Sequence, residues 1–180
     1  NIHIVDDRFP ESRRLFSQNI SDILYLTCGP FFDIEHTPIP MKKIFSVGLS
    51  GVYEEAKEAL VKCENDEERD FVMAAMAGLE SIKLIGEKFA AEARSRLENE
   101  TDPENIRCFT MIAETAGRVP WEAPKTFYEG MATLAFMRKA IGSIEGYGYN
   151  SVGRPDVLIA PLMENDRKNG MTYDEMYDLM

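Results

Sequence analysis

Apolar residues recur every three or four positions along much of the chain after residue 50, with charged residues between them, and this pattern predicts helices. The longest predicted helix runs from about residue 67 to residue 97 and is capped by Asp66. Its apolar stripe is expected to consist of Val72, Ala75, Met76, Leu79, Ile82, Ile85, Phe89, Ala93 and Leu97. Methionine and phenylalanine at helical spacing are typical of protein cores, so we also expect Phe71 and Met73 to be buried.

Four further helices are predicted. They cover residues 11–24, 51–63, 103–115 and 125–140. Ser50 caps the second of them, since short polar side chains accept hydrogen bonds from the first turn of a helix. Asp102-Pro103 starts the third. A last helix is expected to begin at Thr172, because Thr172 and Glu175 match the S/T-x-x-E capping pattern.

Glycine and proline mark the segments that are not helical. Pro38 and Pro40 predict an extended, aromatic-rich crossing over residues 28–41. After the helix at 125–140, a run of glycines and a turn at 153–155 precede a short apolar segment, residues 157–162, which we predict to be a strand. Helix, crossing and strand form a unit of an α/β protein, so the predicted fold class is α/β, predominantly helical. We expect one domain in three parts, residues 1–49, 50–117 and 118–180.

Composition narrows the range of functions. The 180 residues carry a net charge of -11, which disfavours binding to nucleic acid or to an anionic membrane surface. No apolar run approaches the roughly 20 residues that cross a bilayer. Three widely spaced cysteines fit reduced thiols in the cytoplasm better than disulfides or a metal site. The chain starts at Asn1 and stops soon after its last predicted helix begins, so we expect it to be a segment of a longer protein.

Several motifs follow one another in the order found in one family. The sequence VPWEAPKTFYEGM at residues 119–131 is followed by Glu145, by GRPD at 153–156 and by Pro161, Asp166 and Gly170. Upstream lie Glu35-His36, GLSGVYEE at 48–55 and IAE at 112–114. Together these motifs resemble the pyruvate formate-lyase-type domain of glycyl radical enzymes, on the branch of the diol and amino-acid dehydratases. The resemblance covers the chain from about Cys28 to its end.

The resemblance implies that the chain forms outer helices and a first strand, residues 157–162, of the glycyl radical enzyme β/α barrel. It implies a lyase or dehydratase, or a formate acetyltransferase-like enzyme, that acts by a radical mechanism on a small polar substrate in anaerobic metabolism, as a homodimer. In such enzymes a radical SAM activating enzyme installs the glycyl radical. Neither the family's radical-bearing glycine loop nor its cysteine loop occurs in this sequence. The chain alone is therefore expected to be inactive.

The same resemblance assigns candidate substrate-binding residues. It places His36 on a loop at the substrate cavity, where an imidazole can bond to the substrate or relay a proton. Tyr149, Asn150 and Ser151 take the place of the polar residues that contact the substrate in the dehydratases. There is a plainer alternative for each. His36 would bond to the backbone of a proline-rich loop, and the hydroxyl groups of Tyr149 and Ser151 would cap a turn.

Arg154, Asp156 and Glu145 receive structural roles. Arg154 is expected to pin the start of the predicted strand to nearby carboxylates, with Glu145 either as its partner or as part of the cavity lining. The alternative for Arg154 is a bidentate clamp on a substrate carboxylate. A second function, of a different class, also fits the sequence: a stand-alone acidic helical module that binds a partner protein through residues 25–41.

Overall fold

A computed structural model of the chain describes residue 11 and residues 38–145 and 151–179. These residues form six helices: α1 (Met41–Val61), α2 (Asp66–Leu97), α3 (Pro103–Thr115), α4 (Phe127–Glu145), α5 (Pro155–Lys168) and α6 (Tyr173–Asp178). None of them has both the length and the hydropathy needed to span a bilayer. Apart from residue 11, the helix predicted for residues 11–24 lies outside the described residues, as does most of the crossing predicted for residues 28–41.

The described residues fall into two compact units. The larger one consists of Pro40–Met137 and Val152–Met180, and the smaller one takes its residues from Asn1–Ile39 and Arg138–Ser151. In the larger unit, α2 packs against both α1 and α3, and α1 also packs against α5.

α1 begins at Met41, earlier than the helix predicted from residue 51, and bends at Gly48. Gly48 has φ 69° and ψ 176°, a conformation essentially restricted to glycine. Just after the bend, the N–H groups of Leu49 and Ser50 donate to the carbonyl oxygens of Pro120 and Trp121, at 2.9 Å in both cases. The bend therefore holds the segment that precedes α4 against α1.

Trp121 fastens the same segment to two helices. Its ring lies 5.6 Å from the ring of Tyr53 on α1, and the ammonium group of Lys83 on α2 lies 4.9 Å from its centroid. The Tyr53 hydroxyl donates to a carboxylate oxygen of Glu80 at 2.5 Å, and this hydrogen bond raises the pKa of Tyr53. Because Trp121 is the single tryptophan of the sequence, its fluorescence reports on the packing of α1, α2 and this segment.

The local start signals of α3 and α6 are confirmed. Asp102 caps α3 by accepting hydrogen bonds from two backbone N–H groups of its first turn, and Pro103 opens the helix. Thr172 and Glu175 form the predicted reciprocal capping box at α6. At α2 the cap is Asn65 rather than Asp66, which is instead the first residue of the helix.

The buried face of α2 is made of smaller residues than predicted. Gly86, Ala90 and Ala93 are buried, whereas Phe71, Met73 and Phe89 are 76%, 53% and 55% exposed. The prediction that Phe71, Met73 and Phe89 belong to the core was therefore wrong. The close approach of α3 at Gly86 accounts for Phe89, because a Cβ atom at Gly86 would lie 2.5 Å from the carbonyl oxygen of Ala116. Large side chains are confined to the flanks of such a contact.

We expect Gly86→Ala to destabilise the protein by about 2 kcal/mol, because the added methyl group meets backbone that cannot rotate away. Gly78 provides a matched control on the same helix, since a Cβ atom there meets nothing within 4 Å. Gly78→Ala should stabilise the protein by about 0.5–1 kcal/mol through helix propensity alone. Urea denaturation followed by circular dichroism measures both changes, and equal effects of the two substitutions would contradict the packing at Gly86.

The apolar segment at residues 157–162 is helical, so the predicted first barrel strand is wrong. It lies in α5, which has Pro155 and Asp156 in its first turn and Arg167 and Lys168 in its last. These are favourable residues for the two ends of a helix. The apolar run was too short to separate a buried strand from one buried helical face, and Ile159 and Asp166, two turns apart, supply that face. Within the described residues, β-structure is limited to an isolated bridge between Pro38 and Ser151.

Candidate functional site

The isolated bridge joins the two chain segments that carry the predicted substrate residues. Pro38 pairs with Ser151 in parallel orientation, and the Ile39 N–H donates to the Ser151 carbonyl oxygen at 2.9 Å. Ile39 is 7% exposed, whereas the Ser151 side chain is exposed. The backbone just after His36 is thus held beside the last of the three polar residues predicted to contact substrate.

The bridge does not include the other predicted substrate-binding residues. His36, Tyr149 and Asn150 lie outside the described residues, and Glu145 is described only as the last residue of α4. Their predicted roles stay predictions. Among the residues that the structure does describe, no group of three or more His, Cys, Asp or Glu side chains is arranged to hold a metal ion.

Arg154 and Asp156 form an exposed ion pair at the start of α5. The guanidinium donates from Nε and from one terminal nitrogen to the two carboxylate oxygens, at 2.9 Å and 2.6 Å. This pairing lowers the pKa of Asp156 to about 2. Arg154 thus engages a carboxylate of its own helix turn, where a negative charge is also favoured by the helix dipole.

The start of α4, within the VPWEAPKTFYEGM motif, is held by a buried carboxylate from that motif. Thr126 Oγ1 accepts from the Glu129 N–H at 3.2 Å, while a Glu129 carboxylate oxygen accepts from the N–H groups of Thr126 and Lys125, at 3.3 and 2.7 Å. These contacts form a capping box. Sequence reasoning missed it, although Thr126-x-x-Glu129 has the same pattern that was recognised at Thr172 and Glu175.

The other oxygen of Glu129 pairs with Arg118. The Glu129 side chain is 10% exposed and the Arg118 side chain 29%. Arg118 also reaches a carboxylate oxygen of Glu122 at 3.5 Å, but Glu122 is half exposed. The buried negative charge at the start of α4 is therefore balanced by one nearby cation, which satisfies the usual requirement for a buried carboxylate.

A second buried carboxylate reaches the same helix start from α5. Asp166 accepts from the Phe127 N–H at 2.7 Å, and both residues are buried, at 7% and 3% exposure. With this bond, the backbone N–H groups of residues 125, 126 and 127 all have carboxylate acceptors. Sequence analysis singled out Asp166 as part of a motif but had no local signal for its partner, which is 39 residues away.

Comparisons with known proteins agree with the resemblance in the sequence. A family model described as pyruvate formate lyase-like matches residues 10–180. The isethionate sulfite-lyase of Desulfovibrio desulfuricans is 29% identical over 136 residues, which cover 72% of this chain and 16% of that protein. The trans-4-hydroxy-L-proline dehydratase of Clostridioides difficile is 28% identical over 101 residues, which cover 55% of this chain and 13% of that protein.

A solved structure provides the comparison of folds. The crystal structure of a glycyl radical enzyme from Archaeoglobus fulgidus matches with a TM-score of 0.74 and 23% identity, over 92% of this chain and 22% of that one. The fold is thus a helical part of a glycyl radical enzyme barrel. The chain belongs to the pyruvate formate lyase-like family, as the sequence predicted. It spans only 16% and 13% of the length of the two curated relatives.

Proposed function

We propose that this chain is part of a glycyl radical lyase or dehydratase and forms one wall of its substrate cavity. The observation that carries the proposal is the pairing of Ile39 with Ser151, which joins the segment after His36 to the end of the segment 149–151. Family membership over residues 10–180 supports a radical enzyme as the parent, and the two curated relatives are a lyase and a dehydratase.

In this proposal the chain binds and orients the substrate and excludes water. The hydroxyl groups of Tyr149 and Ser151 and the amide of Asn150 bond to hydroxyl or carboxylate groups of a small polar molecule, and His36 holds or relays a proton. The radical chemistry depends on a glycyl radical installed by a radical SAM activating enzyme, and on motifs that this sequence does not contain. Enclosure by packed structure matters because it protects reactive species from solvent.

Other properties of the parent enzyme belong to the same proposal. We infer a cytoplasmic enzyme of anaerobic metabolism that works as a homodimer, with neither nucleic acid nor membrane as a partner. The net charge of -11 supports the last two points. The alternative of a stand-alone interaction module depends on residues 25–41, most of which lie outside the described residues, and the family match over nearly the whole chain favours the enzyme.

The test uses the parent enzyme, activated without oxygen by its activating enzyme. Isethionate and trans-4-hydroxy-L-proline, named by the two relatives, are suitable first substrates. We expect Ser151→Ala and Asn150→Ala each to lower kcat/KM about tenfold, mainly through KM, because each removes a hydrogen bond to bound substrate.

Ser81→Ala is the matched control, since the Ser81 hydroxyl bonds only to the backbone of an exposed turn of α2. It should leave both constants unchanged. Unchanged kcat/KM in both site variants, on a substrate that the wild-type enzyme converts, would remove residues 150 and 151 from the substrate wall.

A further inference from the structure

Gly78 is a glycine in the interior of α2 that no neighbour among the described residues requires. A Cβ atom added at Gly78 meets none of their atoms within 4 Å. About two turns later on the same helix, Gly86 does have such a neighbour, because the carbonyl oxygen of Ala116 lies 2.5 Å from the place of its Cβ atom. Glycine is less favourable than alanine inside a helix, and close packing is the usual reason for its presence there. Gly78 therefore indicates a close neighbour outside the described residues.

Gly78 lies in the middle of an apolar stripe on α2. Glu80 of α2 accepts a hydrogen bond from Tyr53 of α1, and two positions along a helix correspond to a rotation of about 200°. α1 therefore contacts α2 on the side opposite Gly78. The stripe recurs every three or four residues, and we call it the Gly78 stripe; it consists of Phe71, Ala74, Ala75, Gly78, Ile82, Ile85 and Phe89.

The N-terminal half of the Gly78 stripe is open, whereas its C-terminal end already contacts another helix. The ring of Phe89 lies 6.2 Å from the ring of Phe136 on α4, edge-on. Phe71 at the other end is 76% exposed, and the three small residues of the stripe are exposed as well. Large apolar residues on either side of small ones form a surface on which another helix can approach closely.

Charge and length favour one source for the segment that covers this surface. The stripe contains no charged residue, so it suits an apolar partner rather than a charged ligand. A second copy of the chain is disfavoured, because each copy carries a net charge of -11 and the two would repel each other. The chain spans 16% and 13% of the two curated relatives, so most of a parent enzyme of that size lies outside it.

We propose that the Gly78 stripe is an interaction surface for a helix from the rest of the parent enzyme, which packs against α2 across Gly78. Apolar side chains of that helix lie between Phe71 and Ile82, and its backbone comes closest at Gly78. The inference rests on the proposed function in one respect, that the chain is part of a larger enzyme. It is independent of the substrate wall, which is tested by kinetics and not by stability.

Thermal unfolding of the parent enzyme and of the 180-residue chain tests this surface. In the 180-residue chain, we expect Gly78→Ala to raise the midpoint of unfolding by about 2 °C, because alanine favours the helix. In the parent enzyme, the same substitution should lower the midpoint by about 2 °C, because the added methyl group meets the packed helix. Gly78→Leu should lower the midpoint of the parent further.

Ala77→Leu is the matched control, since Ala77 is exposed and lies about 100° around α2 from Gly78. It should leave the midpoint of the parent unchanged. Three results would overturn the proposal. The first is a Gly78→Ala parent enzyme at least as stable as the wild type, and the second is an equal loss from Ala77→Leu and Gly78→Leu. The third is a loss of stability from Gly78→Ala in the 180-residue chain, which would place the covering segment within this chain or in a second copy. If Gly78→Leu does not fold, Gly78→Ala decides.

Discussion

Gly48→Ala is expected to lower the free energy of unfolding by at least about 3 kcal/mol. At φ 69° and ψ 176° any residue with a Cβ atom is strained, by roughly 1–3 kcal/mol. The added carbon would also lie 2.4 Å from the Trp121 oxygen and 2.7 and 2.8 Å from two further backbone atoms, of Glu122 and Ala123. Backbone in such a contact moves only if the hydrogen bonds from Leu49 and Ser50 are lost. Urea denaturation followed by Trp121 fluorescence measures the change.

Gly153 offers a matched control for this substitution. Its φ of 74° is close to that of Gly48, but a Cβ atom there meets nothing within 4 Å. Gly153→Ala should therefore show only the cost of the left-handed backbone, about 1–2 kcal/mol. If the two substitutions were equally harmful, strain rather than contact with the segment before α4 would explain the glycine at position 48.

What the sequence reveals about the fold depends on how local each signal is. Asp102 and Pro103 stand directly at the start of α3, and Thr172 and Glu175 lie within the first turn of α6 or next to it. Because these signals are local, both helix starts were predictable. The segment at 157–162 was misread because six apolar or small residues do not reveal a period, and the residues that extend the helix lie beyond them. Gly86 is buried and Phe89 is not because α3 passes close to α2 at Gly86. The spacing of apolar residues along α2 contains no information on the path of α3.

The predictions for the candidate site also divide into features with a local signal in the sequence and features without one. The family and its fold followed from the order of several short motifs, and the comparisons confirm both. By contrast, the hydrogen bonds that connect the motifs, from Phe127 to Asp166 and from Ile39 to Ser151, join residues far apart in the chain. A single sequence gives no signal for such pairs. The structure therefore adds a physical reason for the positions of Glu129 and Asp166 in their motifs: both supply acceptors to the start of α4.

Glu129→Ala is expected to destabilise the protein by about 3 kcal/mol, the largest effect of any carboxylate substitution proposed for this chain. It removes the acceptor of the Lys125 and Thr126 N–H groups and leaves the partly buried Arg118 without its main partner. Glu122→Ala is the control, because it removes the other, exposed carboxylate that Arg118 reaches, and should cost less than about 0.5 kcal/mol.

Glu129→Gln separates the two contributions of this side chain. Glutamine retains the capping oxygen but not the charge. We expect Glu129→Gln to lower the free energy of unfolding by about 1–2 kcal/mol, which measures the loss of the charge. The rest of the effect of Glu129→Ala then belongs to the cap. Urea denaturation at neutral pH gives all three values. A Glu129→Ala protein as stable as Glu122→Ala would contradict the burial of the Arg118–Glu129 pair. The same result would mean that Asp166 alone holds the start of α4. In that case, hydrogen exchange of the Phe127 amide in the Glu129→Ala protein would be as slow as in the wild type.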